Sequence, residues 1–119
     1  MTRVKITCPE GRETVGWFNP DSPDCITFVE DRSFNGKNWI SVASGSQWAH
    51  ERLMLTAKTR RWVINEWSEW QGSTEIHRFA SEPEAFRWLL ANDGADKAAG
   101  LLPADIAQRL ELFIDQEEA

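Results

Sequence analysis

Hydrophobic and polar residues alternate with two different periods along the chain, and the change of period divides it. "RVKIT" sets Val4 and Ile6 against Arg3, Lys5 and Thr7, the two-residue repeat of a half-buried strand. "ETVGWF" reads as a second short strand before the turn-rich "NPDSPD", and "CITFVED" again alternates, with Ile26 and Phe28 against Thr27 and Val29. Asn35-Gly36 in "SFNGKN" is the strongest short hairpin signal, because a tight two-residue turn wants positive φ at both positions; "WISVA" returns as the partner strand. "RLMLTA" and "RWVINEWSEW" form the next pair, joined through Lys58-Thr59, although neither of those residues favours positive φ. "QGS" is a further turn and "TEIHRFA" the last strand. Connections this short fit antiparallel pairing and exclude parallel crossovers.

After residue 80 the period becomes helical. Ser81 is placed to cap a helix, with Pro83 in its first turn and Glu84 completing a capping box; Phe86, Leu89 and Leu90 form the apolar stripe, and Gly94 is the stop. A second helix begins near Pro103, with Ile106, Leu110, Phe113 and Ile114 on one face and Leu112 off it. The expected fold is α+β: a five- to six-stranded, mainly antiparallel sheet over residues 2–79, followed by two C-terminal helices, 82–92 and 103–116, packed on it. The length of 119 residues fits one domain, 1–119, with a β-sheet part (1–80) and a helical part (81–119). The expected core is Trp39, Leu53, Leu55, Trp62, Ile64, Phe86, Leu89, Leu90, Ile106 and Leu110.

Alternation divides the aromatic strand 61–70. Trp62, Ile64, Glu66, Ser68 and Trp70 lie on one face; Arg61, Val63, Asn65, Trp67 and Glu69 lie on the other. With Trp62 and Ile64 inward, Trp67 falls on the polar side unless a bulge between 65 and 69 returns it. Seven tryptophans and six phenylalanines without a tyrosine point mostly to a core built on large rings. A ring left outside beside Arg and Glu is an anchor for a partner. Trp67, Trp70 and Trp48, with Arg60 and Arg61, are the candidate partner-binding residues.

Charge narrows the partner. The net charge is −6, and residues 1–80 balance ten basic against ten acidic side chains, so the whole excess lies in residues 81–119, with three basic and nine acidic. That distribution disfavours broad phosphate-backbone binding and suits a basic protein partner. Lys58, Arg60 and Arg61 next to Trp62 keep a local nucleic-acid alternative open, with a basic hairpin tip over 58–62 that can stack a base. Leu112 and Trp67 add apolar contacts for a homodimer.

Chemistry-bearing motifs are sparse. Cys8, Cys25, His50 and His77 supply zinc-type donors without the paired spacing of a structural site, and no cofactor or metal is expected. His50 beside Glu51 has the residue types for acid–base work, but neighbours on a strand point to opposite faces. No nucleophile elbow, phosphate loop or zinc-protease helix occurs, so no catalytic residue is assigned and enzyme or small-ligand roles rank last. "MTRVKITCPEG" has no signal-like apolar run and no stretch is long enough to span a membrane; a cytoplasmic chain with reduced cysteines is expected.

"WSEW" resembles the Trp-Ser-x-Trp-Ser element of cytokine receptors and the Trp-x-x-Trp acceptor of thrombospondin-type repeats, but Gln71 and the two cysteines fit neither, and the match is coincidental. The wider span "GKNWISVASGSQWAHERLMLTAKTRRWVINEWSEWQGS", with "EAFRWLL" after it, resembles a family of small bacterial proteins. Its pattern runs Gly-Ser-Gln, Glu-x-Leu, Arg-Trp-Val, Trp-Ser-x-Trp-Gln-Gly and a helix ending in Trp-Leu. The resemblance covers residues 36 to 90 and implies an antitoxin- or regulator-like protein without catalytic residues. In several of these proteins a DNA-binding tail follows this region, whereas here the acidic "LLPADIAQRLELFIDQEEA" follows it.

Overall fold

The computed structural model describes residues 2–9, 12–70 and 75–119. Among them, eight strands form three antiparallel sheets and three helices follow. β1 (Val4–Thr7) pairs with β2 (Thr14–Phe18); β4 (Arg32–Phe34) pairs with β5 (Trp39–Ser41). The main sheet contains β3 (Ile26–Val29), β6 (Ala49–Leu55), β7 (Trp62–Ser68) and β8 (Ile76–Ala80), in the order β3-β6-β7-β8. The helices are α1 (Glu82–Ala91), α2 (Ala95–Leu101) and α3 (Ala104–Glu117). The α+β class is as the pattern implied, but the single sheet of five or six strands is replaced by a four-stranded sheet and two ribbons, and there are three helices rather than two.

The main sheet has a core on each face. On one, Phe28, Leu53, Leu55, Trp62 and Ile64 meet Phe86, Trp88 and Leu89 of α1, Ala98 of α2, and Ile106 and Leu110 of α3. On the other, Met54 and Val63 pack with Ile6 and Phe18 from the β1–β2 ribbon, against Phe79. The face expected to be polar is therefore half covered, and Val63 and Asn65 are buried as fully as Ile64. Gly16 permits the ribbon's close approach, since a Cβ there would stand 3.3 Å from the Phe79 ring.

Two expected core positions differ. Leu90 is only half-buried. Trp39 is 62% exposed, because it sits on the β4–β5 ribbon, where its ring meets Phe34 at 5.4 Å instead of the core. That ribbon, not a β3–β5 pair, is the product of the Asn35-Gly36 signal. β3 pairs instead with β6, Phe28 opposite Leu53. The loop has four residues, Asn35 to Asn38. Gly36 alone takes positive φ (92°), and Asn35 Oδ1 accepts the N–H groups of Lys37 and Asn38 at 3.0 and 2.8 Å.

In the β6–β7 loop the left-handed residue is Arg60 (φ 53°), not Lys58 or Thr59, and the Thr56 N–H closes the loop onto the Arg61 carbonyl at 2.9 Å. The "QGS" turn lies outside the described residues.

Ser81 caps helix α1 as expected, with the Glu84 N–H donating to Ser81 Oγ at 3.2 Å, but the capping box is not completed, because the Glu84 side chain turns to Arg78. The Glu84 carboxylate accepts from Arg78 Nη1 at 3.0 Å. Its end is a Schellman turn: the Gly94 N–H reaches the Leu89 carbonyl at 2.8 Å, and the Asp93 N–H reaches that of Leu90 at 3.4 Å. The left-handed residue is Asp93 (φ 54°), while Gly94 opens α2, a short helix of small residues with too little apolar pattern to stand out in the sequence.

Candidate functional site

β6 and β7 run in register without interruption from Leu55 opposite Trp62 to Ala49 opposite Ser68, and the Glu69 N–H adds one more rung to the Trp48 carbonyl at 2.9 Å. No bulge intervenes, so Trp67 stays on the face opposite Trp62 and Ile64. There it is half-buried, with the Arg52 guanidinium 4.3 Å from its ring centroid and the His50 ring at 5.4 Å. Beyond the last rung, Trp48 and Trp70 meet with centroids 5.3 Å apart, 43% and 62% exposed. Their backbones are anchored by serines: the Trp48 N–H donates to Ser46 Oγ at 3.0 Å and the Trp70 N–H to Ser68 Oγ at 3.1 Å. The open end of the hairpin thus presents an aromatic pair on a fixed backbone, with Trp67 and Arg52 alongside.

A polar cluster underlies this end. His50 Nδ1 lies 2.5 Å from Glu30 Oε1, and Nε2 lies 3.3 Å from Glu69 Oε2. Glu30 also accepts the Ser41 hydroxyl and, at 2.7 Å, the Glu51 N–H. Burial opposes protonation of His50, but hydrogen bonds and Coulombic attraction from Glu30 and Glu69 outweigh it and push its pKa up. Protonation of His50 is thus easier than in water, and its ring stands between two carboxylates. Ser41 bonds to Glu30 rather than to His50, so the hydroxyl–imidazole contact of a nucleophilic triad is missing from this cluster. The 20-residue separation of Glu30 from His50 gave no spacing signal in the sequence.

Glu51 turns the other way, as alternation requires. On the helical face it stands opposite Glu66 in the β6–β7 register and accepts the Trp88 indole N–H at 3.0 Å. Burial raises its pKa, against the Trp88 bond. Glu66 is held by Arg78 Nε at 3.0 Å. The two carboxylates border an open depression of about 240 Å³ that Ser44 and Ser68 also line.

Arg60, Arg61 and Lys58 lie elsewhere. They occupy the closed end of the same hairpin, where Arg61 is six residues, roughly 20 Å, from Trp67 and nine residues, roughly 30 Å, from Trp70. The expected grouping of Arg60 and Arg61 with Trp67, Trp70 and Trp48 in one contact is not what the fold produces. Arg60 approaches Asp105 at 3.6 Å, and the Arg61 guanidinium lies 3.5 Å over the Phe79 ring. Lys58 is exposed and makes no ion pair among the described residues. Cys8 and Cys25 are half-buried free thiols, burial raising the pKa of Cys25. No group of three or more His, Cys, Asp and Glu among the described residues is arranged to hold a metal, and no helix there is long and apolar enough to cross a membrane. No family model matches the chain, and neither a curated protein nor a solved structure matches it.

Proposed function

We propose that the chain is a macromolecule-binding module that engages another protein through the open end of the β6–β7 hairpin. The observation that carries this reading is the exposed Trp48–Trp70 pair. Two large rings held on hydrogen-bonded backbone lose little entropy on contact and bury a large apolar area, the property of interface anchors. Arg52 and Trp67 form a second cation–aromatic pair on the same hairpin.

The partner is basic. Glu111, Asp115 and Glu117 on α3 form no ion pair among the described residues and add to the negative field of residues 81–119, which speeds encounter with a positive surface. Together with the resemblance of residues 36 to 90, this supports a bacterial regulator of the antitoxin or inhibitor kind, acting by binding rather than catalysis. The nucleic-acid alternative is weaker, since Arg60 lies beside the Asp105 carboxylate, which would repel phosphate, and Arg61 stacks on Phe79.

Affinity capture from the source organism tests the reading. The Trp48→Ala/Trp70→Ala double variant is expected to lose a specific basic partner by about 30-fold or more in affinity, the scale of an anchor residue. Lys58→Ala with Arg60→Ala and Arg61→Ala is expected to leave it bound. The reverse pattern, with salt-sensitive gel shifts, would transfer the function to nucleic acid. Light scattering that shows a dimer dissociated by the tryptophan changes would make the partner a second copy.

A further inference from the structure

At the closed end of the same hairpin, on the face covered by the β1–β2 ribbon, lies a cavity of about 520 Å³. Its floor is apolar: Ile6 and Phe18 are almost wholly buried, and Phe79 packs against them. Trp17, 52% exposed, forms one wall. Lys58 and Thr59 of the β6–β7 loop stand on the rim. The volume falls in the range of small-molecule sites, which combine an apolar lining with a few placed polar groups.

The charged side chains that line the cavity or stack on its rings are cationic. No carboxylate among the described residues lines the cavity. Arg61 is stacked over Phe79 at 3.5 Å, and the Arg3 guanidinium lies 5.1 Å from the Trp17 centroid, so cations back two of the aromatic walls. Asp21, near the rim, accepts the Thr2 hydroxyl at 2.5 Å. Thr56 Oγ1 already accepts the Arg61 N–H at 3.0 Å, while Lys58 has no partner among the described residues.

We infer that this cavity binds a small planar aromatic molecule bearing one carboxylate or phosphate group. The ring would lie among Trp17, Phe18 and Phe79, where offset or edge contacts are favourable. The anion would reach the Lys58 ammonium and the Thr59 hydroxyl, a charge-assisted contact at the mouth. The site is independent of the tryptophan pair at the other end of the hairpin.

Titration of the isotope-labelled chain, followed by amide and indole N–H resonances, decides the matter. Indole-3-acetate and phenyl phosphate are expected to give saturable shifts at Ile6, Trp17, Ala57 and Lys58, with a dissociation constant of about 1 mM or better for ligands this small. Indole-3-ethanol, which lacks the charge, is expected to bind about tenfold more weakly, the scale of one surface ion pair assisted by a hydrogen bond. Lys58→Met, an exposed loop change, removes that difference and leaves the alcohol unaffected. Absence of shifts at these positions, or their appearance at Trp48 and Trp70 instead, overturns the site. Equal binding of acid and alcohol overturns the anionic class. Tighter, salt-sensitive binding of a single-stranded oligonucleotide at the same resonances overturns the small-molecule reading in favour of nucleic acid.

Discussion

The indole N–H of Trp88 on α1 donates to Glu51 Oε1 on β6 at 3.0 Å, joining the helical layer to the sheet through a half-buried carboxylate. Burial raises the Glu51 pKa; the Trp88 bond opposes this, Glu66 and Glu30 push it further up, and Arg78 pulls it down. The folded state thus holds a proton on Glu51 more tightly than the unfolded chain does. This part of stability declines as pH rises from 4.5 through the folded-state value.

Trp88→Phe keeps most of the packing and removes the donor. A loss of about 1–2 kcal/mol is expected at neutral pH, where the carboxylate is left without its indole partner. The loss shrinks toward pH 4, where the carboxyl is protonated. Urea unfolding at the two pH values checks this; equal losses would show that only packing was removed.

The two histidines have opposite pH signatures. His50 is raised above 6.5, so its contribution is full below that value and is lost as pH rises through the folded-state pKa. His77 is lowered by burial, with Arg52 adding to the effect and Glu75 opposing it. Its contribution is full above 6.5 and is lost as pH falls toward its folded-state pKa. Imidazole resonances followed through a pH titration should give the two values on opposite sides of 6.5, and His50→Gln should abolish the decline in stability that begins above 6.5 while leaving the His77-linked loss below it.

Asp93 holds the left-handed position of the Schellman turn at φ 54°. Asp93→Gly keeps both backbone bonds and relieves the Cβ clash, so it should stabilise by about 0.5–1 kcal/mol. Asp93→Val should destabilise by more than that. Thermal unfolding of the pair reads out the sign.

Ile6 is 1% exposed and ties the β1–β2 ribbon to Met54 and Val63. Ile6→Ala should cost about 2–5 kcal/mol through lost burial and the cavity left behind. Hydrogen exchange should rise first in β1, β2 and β8, while the helical face keeps its protection. Uniform exchange across both faces would show that the two cores unfold as one.

The strand period over 2–79, the helical period after residue 80 and the Ser81 cap all follow from local rules, and the sequence alone determined them. Alternation likewise put Trp62 and Ile64 inward, Trp67 on the reverse face, and His50 and Glu51 on opposite sides of β6. These depend on backbone geometry that repeats every two or 3.6 residues, whatever lies across the sheet. Tertiary structure decided what covers each face. The β1–β2 ribbon buries Val63, which alternation left with the polar residues, because a sheet face is solvated only if no other segment claims it. Trp39 went the other way, drawn onto an outlying ribbon when β3 paired with β6. Arg60 and Trp70, close in sequence, stand at opposite ends of a strand because an extended chain separates them by about 3.3 Å per residue. Glu30 and His50, 20 residues apart, meet because pairing of β3 with β6 brings the end of one strand beside the start of the other. Contacts of that kind depend on which segments share a layer, and a pattern with a period of a few residues carries no record of it.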